Sequence, residues 1–278
     1  MKSTNFLIAF IIQLLIFSFT SSSQDRNFAW TYQTNTLPKG VRDLEVWNTL
    51  RSGRNYFYNR LDQRVEFEFG ITDKLQSSIY LNTSHISQAV HLDTLGGIAD
   101  TSASGANSNS EFSFSSEWKY RLTNHDPDRI SAALYFEFTV APAATEIEFK
   151  LLLDKRSEKN ILALNLVAEQ EWEYDVVKGK KDSEEELKFE TDLGWLHMLK
   201  NNFGLGIEFR NNNLIEDEWL HSDLFGGPTL FYGSRSFFLI AGILPQWTNL
   251  HKSDEAPNNL ELVDHEKIEV RLLLGFGL

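Results

Sequence analysis

Carboxylate side chains recur at every second residue in several segments of the chain. Glu66 and Glu68 alternate with apolar residues in one segment, and Glu169, Glu171 and Glu173 have the same spacing in another. Side chains along a β-strand point to opposite faces in turn, so each run gathers its charges on one face. Such a face could concentrate cations, or it could pair with basic side chains across strands. Which of these applies depends on whether the charged face lies inside the molecule or in water.

One short stretch contains the residue types of a hydrolase. Ser84 to Ser87 reads S-H-I-S, and Asp93 follows nearby. Nucleophilic catalysis needs a base held against the serine and a third group that orients the base. The spacing provides no such arrangement, and the chain lacks a G-x-S-x-G elbow. We therefore predict no catalytic residue and no enzymatic activity.

The histidines do not form a recognisable metal-ligand pattern, because none are spaced four apart on a helix. We expect them to be solvated in or near loops. The mixed-charge run Lys178–Glu186 could bind an ion, but a solvated loop is the simpler interpretation. No metal or cofactor site is predicted. The histidines near predicted turns or loops are His125, His197, His221, His251 and His265.

The composition excludes several classes of protein. The net charge of −13 argues against nucleic-acid binding, which requires a basic surface. Without cysteine there is neither a disulfide framework nor a thiolate metal site. The mean hydropathy of −0.30 excludes a helical membrane protein. It does not exclude a membrane barrel, whose strands are apolar on one side only.

The N-terminus has the three regions of a secretory signal peptide. Lys2 supplies the positive charge, Phe6–Phe19 is apolar, and the small residues Ser21–Ser23 follow. The apolar run is shorter than the ~20 residues that a spanning helix needs. We predict a signal peptide over residues 1–23 and one domain over residues 24–278.

The rest of the chain divides into about twelve segments in which apolar and polar residues alternate. Most of them contain ten residues or more, whereas ordinary strands average ~5–6 and membrane-spanning strands need ~9–11. Pro228 lies inside one of them, where it removes a ladder hydrogen bond, and Pro245 falls late in another, where a position at the rim would tolerate it. The segments are Asp43–Arg51, Leu61–Gly70, Lys74–Thr83, Glu111–Arg121, Ile130–Ala141, Thr145–Asp154, Ile161–Asp175, Glu186–Leu196, Phe203–Asn212, Asp223–Tyr232, Ser236–Trp247 and His265–Leu278.

The connections between these segments alternate in length, except for a short one after Ala141. Short turns at one end and long loops at the other are typical of outer-membrane barrels, whereas a secreted sandwich follows no such rule. The short connections are Ile71–Asp73, Thr123–Arg129, Lys155–Asn160 and Gly233–Arg235. The long ones are Ser84–Ser110, which includes the low-complexity stretch Thr101–Ser110, Val176–Glu185, Asn213–Ser222 and Thr248–Asp264.

These features together predict an all-β fold, a transmembrane antiparallel up-and-down barrel of about twelve strands. Its apolar face would contact lipid and its charged face would line a lumen. A secreted soluble β-sandwich, with its charges in water, is the alternative. The residues predicted to contact lipid include Phe67, Phe149, Leu151, Val270 and Leu272.

Three stretches carry a family resemblance: T-L-P-K-G at Thr36–Gly40, E-V-W-N-T-L-R at Glu45–Arg51 and E-F-G-I-T-D-K-L-Q at Glu68–Gln76. They resemble a group of porin-like or transporter-like outer-membrane barrels of Gram-negative bacteria whose function is uncharacterised. G-L-G-I-E-F-R and the terminal E-V-R-L-L-L-G-F-G-L are similar to later strands of that group. The resemblance implies a cell outer membrane location and no particular substrate.

The lumen-facing charges are the candidate functional residues. Acids outnumber bases among them, so an open lumen should favour cations or neutral small solutes over anions. The same side chains could instead pair across strands and fill the lumen. We expect a porin-like passive channel or facilitator; a closed structural or surface-interaction barrel and an outer-membrane lipid hydrolase are the alternatives. The candidates are Glu66, Glu68, Glu146, Glu148, Lys150, Glu169, Glu171, Glu173, Glu208, Arg210, Glu269 and Arg271.

The aromatic stretch Phe28–Tyr32, which precedes the first segment, has three interpretations. It could form an interface belt, a further strand or a short plug in the lumen. The expected partners are outer-membrane lipid and small solutes, with no nucleic acid. The sequence leaves the oligomeric state open.

Overall fold

Twelve antiparallel strands form a closed barrel in the computed structural model, which describes residues 26–89, 106–124, 129–177, 180–216, 218–252 and 258–278. Each strand pairs with its neighbours in sequence, and the last pairs with the first. The predicted fold class is therefore confirmed. No helix among these residues could cross a membrane. The predicted signal peptide, Asp93 and His125 lie outside the described residues.

The strands span 10 to 21 residues each. Those around one half of the barrel are β1 (Arg42–Ser52), β2 (Tyr58–Thr72), β3 (Leu75–Ala89), β4 (Ala106–Arg121), β5 (Ser131–Val140) and β6 (Ala144–Arg156). The others are β7 (Asn160–Val177), β8 (Lys180–Lys200), β9 (Phe203–Ile215), β10 (Trp219–Gly233), β11 (Phe237–His251) and β12 (Ile268–Gly277).

The two ends of the barrel differ. At the turn end, connections such as those from Thr72 to Leu75 and from Lys200 to Phe203 are short. At the loop end, opposite, the connections 90–105 and 252–267 are long, but 53–57, 141–143 and 216–218 are short. The predicted loop Asn213–Ser222 is wrong, because β9 extends to Ile215 and β10 begins at Trp219. The predicted loop Val176–Glu185 is wrong, because β7 and β8 stay paired as far as Val177 and Lys180. Main-chain hydrogen bonds can extend a hairpin whose register is set, whatever its charged side chains.

The predicted connection Ser84–Ser110 also differs from the structure. β3 continues to Ala89 and β4 begins at Ala106, with Ala89 opposite Ala106. Polar residues alone do not end a strand when its neighbour offers free backbone groups. Half of the low-complexity stretch Thr101–Ser110 therefore belongs to β4, and the residues between the two strands lie outside the described part of the chain.

The outer face of the barrel is apolar. Phe149 is 57% exposed and Leu272 is 40% exposed, while Phe67, Leu151 and Val270 are partly exposed on the same face. An exposed apolar belt around a whole barrel is unfavourable in water and favourable in a bilayer. The geometry thus agrees with lipid on the outside, although contact with lipid stays a prediction.

The inner face is more apolar than the alternation indicates. β10, β11 and β12 turn several large apolar side chains inward, among them Phe225, Ile240 and Leu273, which are fully buried. Gly242 of β11 shows what they pack against, because a Cβ atom there would lie 2.3 Å from the ring of Trp30. The inner wall is therefore shaped to hold a segment of the chain itself.

Pro228 lies within β10 without breaking the barrel. The pairing of β10 with β9 continues through it, opposite Ile207. The pairing with β11 is interrupted between Phe225 and Thr229. The missing N–H of Pro228 therefore falls where β10 and β11 are not paired by hydrogen bonds, and a strand tolerates proline at such a position.

Candidate functional site

Residues 26–37, which precede β1, lie inside the barrel and are called the N-terminal plug below. Phe28, Ala29 and Leu37 are completely buried, and Trp30 and Tyr32 are nearly so. The segment forms no strand and sits against the apolar inner wall. Of the three interpretations of Phe28–Tyr32, the lumen-filling plug is the one that the structure shows.

Glu208, on β9, holds the bend of the plug. Its carboxylate accepts hydrogen bonds from the backbone N–H groups of Ala29, Trp30 and Thr31, each at 2.8 Å. The Thr31 hydroxyl donates a further bond at 3.0 Å. Hydrogen bonds to an ionised acceptor are stronger than neutral ones, so one side chain secures three successive residues. Glu208, predicted as a selectivity residue, is thus placed as an anchor for the plug.

Other wall side chains bind the remainder of the plug. The Asn165 carboxamide accepts from the Tyr32 N–H at 2.7 Å and donates to the Tyr32 carbonyl at 2.9 Å. The Asp154 carboxylate accepts from the N–H and the hydroxyl of Thr34, at 3.1 and 2.9 Å. Because wall side chains provide these bonds, none of them belongs to the strand ladders of the barrel.

Aromatic rings and cations close the lumen at the level of the plug. Tyr32 packs edge to face with Tyr135 at 5.2 Å between ring centroids. The Arg26 guanidinium lies 4.0 Å from the Tyr32 ring and 4.3 Å from the Trp47 ring. The Lys150 ammonium lies 4.4 Å from the Tyr32 ring. A cation–π contact that is shielded from water is worth about 2 kcal/mol, so this layer forms a firm floor.

A cavity of about 580 Å³ extends from this floor to the loop end of the barrel. Trp30, Tyr32 and Trp47 form its base, and Glu186 and Asp264 lie at its rim. Most of the residues that line it are polar or charged. It is large enough for a small hydrophilic solute with some of its water.

Basic and acidic side chains occupy opposite walls of this cavity. β1 and β7 are six positions apart in a ring of twelve strands, so they face each other across the lumen. A solute in the cavity therefore lies in a transverse electric field. The basic wall, on β1, β2 and β12, contains Arg51, Arg60, Arg64 and Arg271. The acidic wall, on β6 and β7, contains Glu146, Glu148, Glu169, Glu171 and Glu173.

The acidic wall is only partly neutralised. Lys188, on β8, lies 3.3 Å from Glu169, 2.6 Å from Glu171 and 3.2 Å from Glu186. One ammonium group thus serves three carboxylates, which leaves an excess of negative charge beside it. At the base of the same wall, Lys150 pairs with Glu148 at 3.0 Å.

The basic wall is tied to its own acids. Asp62 pairs with Arg51 at 3.0 Å and with Arg60 at 2.6 Å. Arg210 lies between the walls, where it contacts Glu190 and binds Glu269 at 2.8 Å. These side chains are held in fixed geometry, so the field they produce is preorganised.

Comparison with known proteins places the chain in a family. A family model described as a family of unknown function matches residues 20–278. The chain belongs to this family, DUF6662. A search of curated proteins finds no match.

Solved structures similar to this DUF6662 chain are outer-membrane barrels. The NanC porin matches with a TM-score of 0.52 and 11% identity, over 84% of this chain and 100% of that chain. The β domain of the Bordetella autotransporter BrkA matches with a TM-score of 0.55 and 6% identity, over 86% of this chain and 100% of that chain. At such low identity, the likeness establishes the fold alone.

The predicted lumen residues of the DUF6662 chain divide into two sets. Glu208 does not line the cavity, and neither do Glu66 and Glu68. Glu66 and Glu68 are fully buried beneath the floor, where the Arg26 guanidinium lies 4.0 Å from the Glu68 carboxylate. They help to surround the plug, whereas the others face the cavity. The cavity-lining candidates are Glu146, Glu148, Lys150, Glu169, Glu171, Glu173, Arg210, Glu269 and Arg271. A role of these residues in selectivity stays a prediction.

The hydrolase-like stretch does not form a catalytic pair. Ser84 and His85 are consecutive in β3, so their side chains lie on opposite faces. The Ser84 hydroxyl donates to Asp62 at 2.6 Å, inside the barrel. The His85 ring bonds to Ser110 at 3.1 Å, on the outside. The arrangement therefore does not bring the His85 imidazole to the Ser84 hydroxyl.

One histidine prediction is wrong. His221 is only 1% exposed, because it lies on the inner face of β10 and the β11–β12 connection brings His265 to 5.1 Å from its ring. The two histidines are far apart in sequence, so no local pattern joins them. The spacing of His221 and Asp223, two residues apart in one strand, is the signal that could have indicated a shared face.

Proposed function

We propose that the protein is an outer-membrane barrel that gives small hydrophilic solutes passive passage, and that the N-terminal plug closes its lumen. The observation that carries the proposal is the charged cavity between opposed walls, which ends at a plug held by wall side chains such as Glu208 and Asn165. A closed structural barrel needs no solvent-filled cavity of this kind. The fold and the exposed apolar outer face support a location in the outer membrane, surrounded by lipid.

The short turns would lie on the periplasmic side and the longer loops outside, as in other barrels of this type. Solutes would then enter the cavity from outside and stop at the floor. Passage requires the plug to shift toward the periplasm, where it is continuous with β1. The transition breaks hydrogen bonds to Glu208, Asn165 and Asp154 but none between strands.

A liposome-swelling panel with the purified protein tests the proposal. We expect small neutral and cationic solutes to enter liposomes that contain the protein, and larger ones to be excluded. Liposomes without protein are the control. Failure of every small solute to enter, with the barrel folded, would overturn passive passage.

A closed-lumen structural barrel is the second candidate, and the buried plug favours it. Phe28, Ala29 and Leu37 are excluded from solvent as completely as core residues of a soluble domain. If the plug never moves, planar bilayers will show no conductance even when its anchors are removed. Openings in the anchor variants support the channel instead.

The acidic wall should make an open lumen prefer cations over anions. Replacing Glu169, Glu171 and Glu173 with Gln removes three carboxylates that one lysine cannot neutralise. We expect the reversal potential across a salt gradient to move toward zero, and the preference of the wild type to shrink near 1 M salt, where the Debye length is ~3 Å. The exposed loop residue Glu218, changed to Gln, is the control. Anion selectivity of the wild type would contradict the electrostatic argument.

A further inference from the structure

A compact group of potential metal ligands lies at the loop end of the barrel. His221 on β10 and Glu261 and His265 on the β11–β12 connection each offer a ligand atom within 4.8 Å of the others. His221 and Glu261 are almost fully buried, and His265 is partly buried. The group is separate from the plug and uses none of its anchors.

The His221 imidazole is oriented on one side and unsatisfied on the other. Its Nδ1 atom lies 3.0 Å from the Asp223 carboxylate, which also accepts a bond from Asn212 at 3.0 Å. Its Nε2 atom is buried and has no hydrogen-bond partner. The carboxylate of Asp264 is 3.8 Å from Nε2, beyond hydrogen-bond range. A buried ring nitrogen without a partner is costly, and a metal ion is one group that would satisfy it.

The orientation of His221 is the one that metal-binding histidines use. A ligating imidazole usually donates its other N–H to a carboxylate, which fixes the tautomer and raises the basicity of the free nitrogen. Asp223 is placed for that role. It also lies 3.5 Å from the Nε2 atom of His265, so the same carboxylate reaches both rings.

Glu261 is held rigidly by its own loop. Its carboxylate accepts the backbone N–H groups of Val263, Asp264 and His265 at distances of 2.7 to 3.2 Å. A carboxylate has about four lone-pair sites, so its oxygens retain acceptor capacity after these bonds. Because this turn is built without help from His221, the carboxylate is already in place.

The connection that carries Glu261 and His265 is also fixed from the opposite side. Arg54, in the turn between β1 and β2, donates to the Val263 carbonyl at 3.0 Å and to the Asp264 carbonyl at 2.5 Å. It binds the Glu266 carboxylate at 2.9 Å as well. These bonds tie the connection to the β1–β2 turn independently of the two histidines.

We propose that His221, His265 and Glu261 bind a divalent transition-metal ion of the zinc type at the mouth of the cavity. Two imidazoles and one carboxylate are a frequent ligand set for zinc, with a fourth position left for water. Magnesium and calcium prefer sites made of oxygen ligands alone. The bound ion would join the β11–β12 connection to the wall of β10. The competing interpretation is that both imidazoles only form ion pairs with Asp223.

Zinc titration of the folded full-length barrel, purified without a histidine tag, tests the site. We expect isothermal titration to show one zinc ion bound per chain and calcium to bind far more weakly. Cobalt(II) should give the visible absorption of a site with nitrogen ligands. His221→Gln and His265→Gln should each weaken zinc binding at least tenfold, while His197→Gln, near the turn end, should leave it unchanged.

Heat-modifiable gel mobility verifies that each variant remains a folded barrel. Equal zinc affinity in the wild type and in the two site variants would overturn the proposal. Absence of zinc binding by the folded wild type would overturn it as well and would leave the imidazoles as partners of Asp223. Because neither readout depends on solute passage, the result is independent of the proposed function.

Discussion

Glu208→Ala is expected to convert a mostly closed barrel into one that conducts frequently. The substitution removes the acceptor of three backbone N–H groups and of one hydroxyl in the plug. Each buried donor that loses its acceptor costs ~1–3 kcal/mol. Even at the low end, three donors destabilise the seated plug by about 3 kcal/mol, which corresponds to roughly a hundredfold rise in the unseated population. Single-channel recording in planar bilayers measures that rise as open probability.

The matched control for this experiment is Glu218→Ala. Glu218 is an exposed carboxylate between β9 and β10 and does not contact the plug. The Glu218→Ala substitution should leave the open probability at the wild-type value. A Glu208→Ala barrel that folds normally and conducts no more often than Glu218→Ala would show that the plug does not control the lumen.

Phe149→Arg should destabilise the barrel by ~2–4 kcal/mol in a bilayer. Phe149 lies near the middle of β6 and is 57% exposed, on the apolar face. A guanidinium there must remain in hydrocarbon or distort the surrounding lipid. Denaturant titration of the protein in lipid vesicles, followed by tryptophan fluorescence, provides the free energy of unfolding.

Ser113→Arg is the control for the direction of the side chain. Ser113 likewise lies near the middle of its strand, β4, but lines the cavity. Arginine there should cost much less, because the lumen is wet and already contains charges. Equal costs at the two positions would contradict the apolar-out orientation and favour a soluble barrel.

The strands could be predicted from the sequence because each one carries its own signal. The alternation around Glu66 and Glu68 predicts both the strand and which of its residues share a face. A register shifted by one residue would move every side chain to the opposite face. The opposed walls could have been derived as well. In an up-and-down barrel, sequence neighbours are spatial neighbours, so twelve strands place Arg51 of β1 opposite the glutamates of β7.

The plug could not be derived in the same way. Residues 26–37 have no strict alternation, and their backbone groups bond to side chains such as Glu208 and Asn165, which are more than a hundred residues away. Nothing in Glu208 itself distinguishes a plug anchor from a pore-lining acid. The sequence does contain one indication of the plug. β11 is apolar on both faces, and its inward apolar residues need a segment inside the barrel to pack against.

His221 and His265 show a second limit. Their proximity depends on the position of His265 beyond β11, and the positions of loop residues are set by tertiary contacts such as those of Arg54 with Val263 and Asp264. A pattern search along the chain treats each histidine alone. Only the three-dimensional arrangement brings the ring nitrogens and the Glu261 carboxylate together.

A reversible crosslink between plug and wall tests the central claim most directly. The chain has no cysteine, and a Cβ atom on Gly194 would lie 3.0 Å from the Thr31 hydroxyl oxygen. Thr31→Cys with Gly194→Cys can therefore form a disulfide, and Phe28→Ala in the same protein makes room for it, because the Phe28 ring lies 2.8 Å from that Cβ atom.

The measurement is conductance of this one protein in planar bilayers, before and after reduction, with formation of the crosslink verified by mass spectrometry. If the plug gates solute passage, the oxidised protein should show no conductance and the reduced protein should open frequently. The conductance of the wild type should be the same in both conditions. Equal conductance in the oxidised and reduced states would contradict the account.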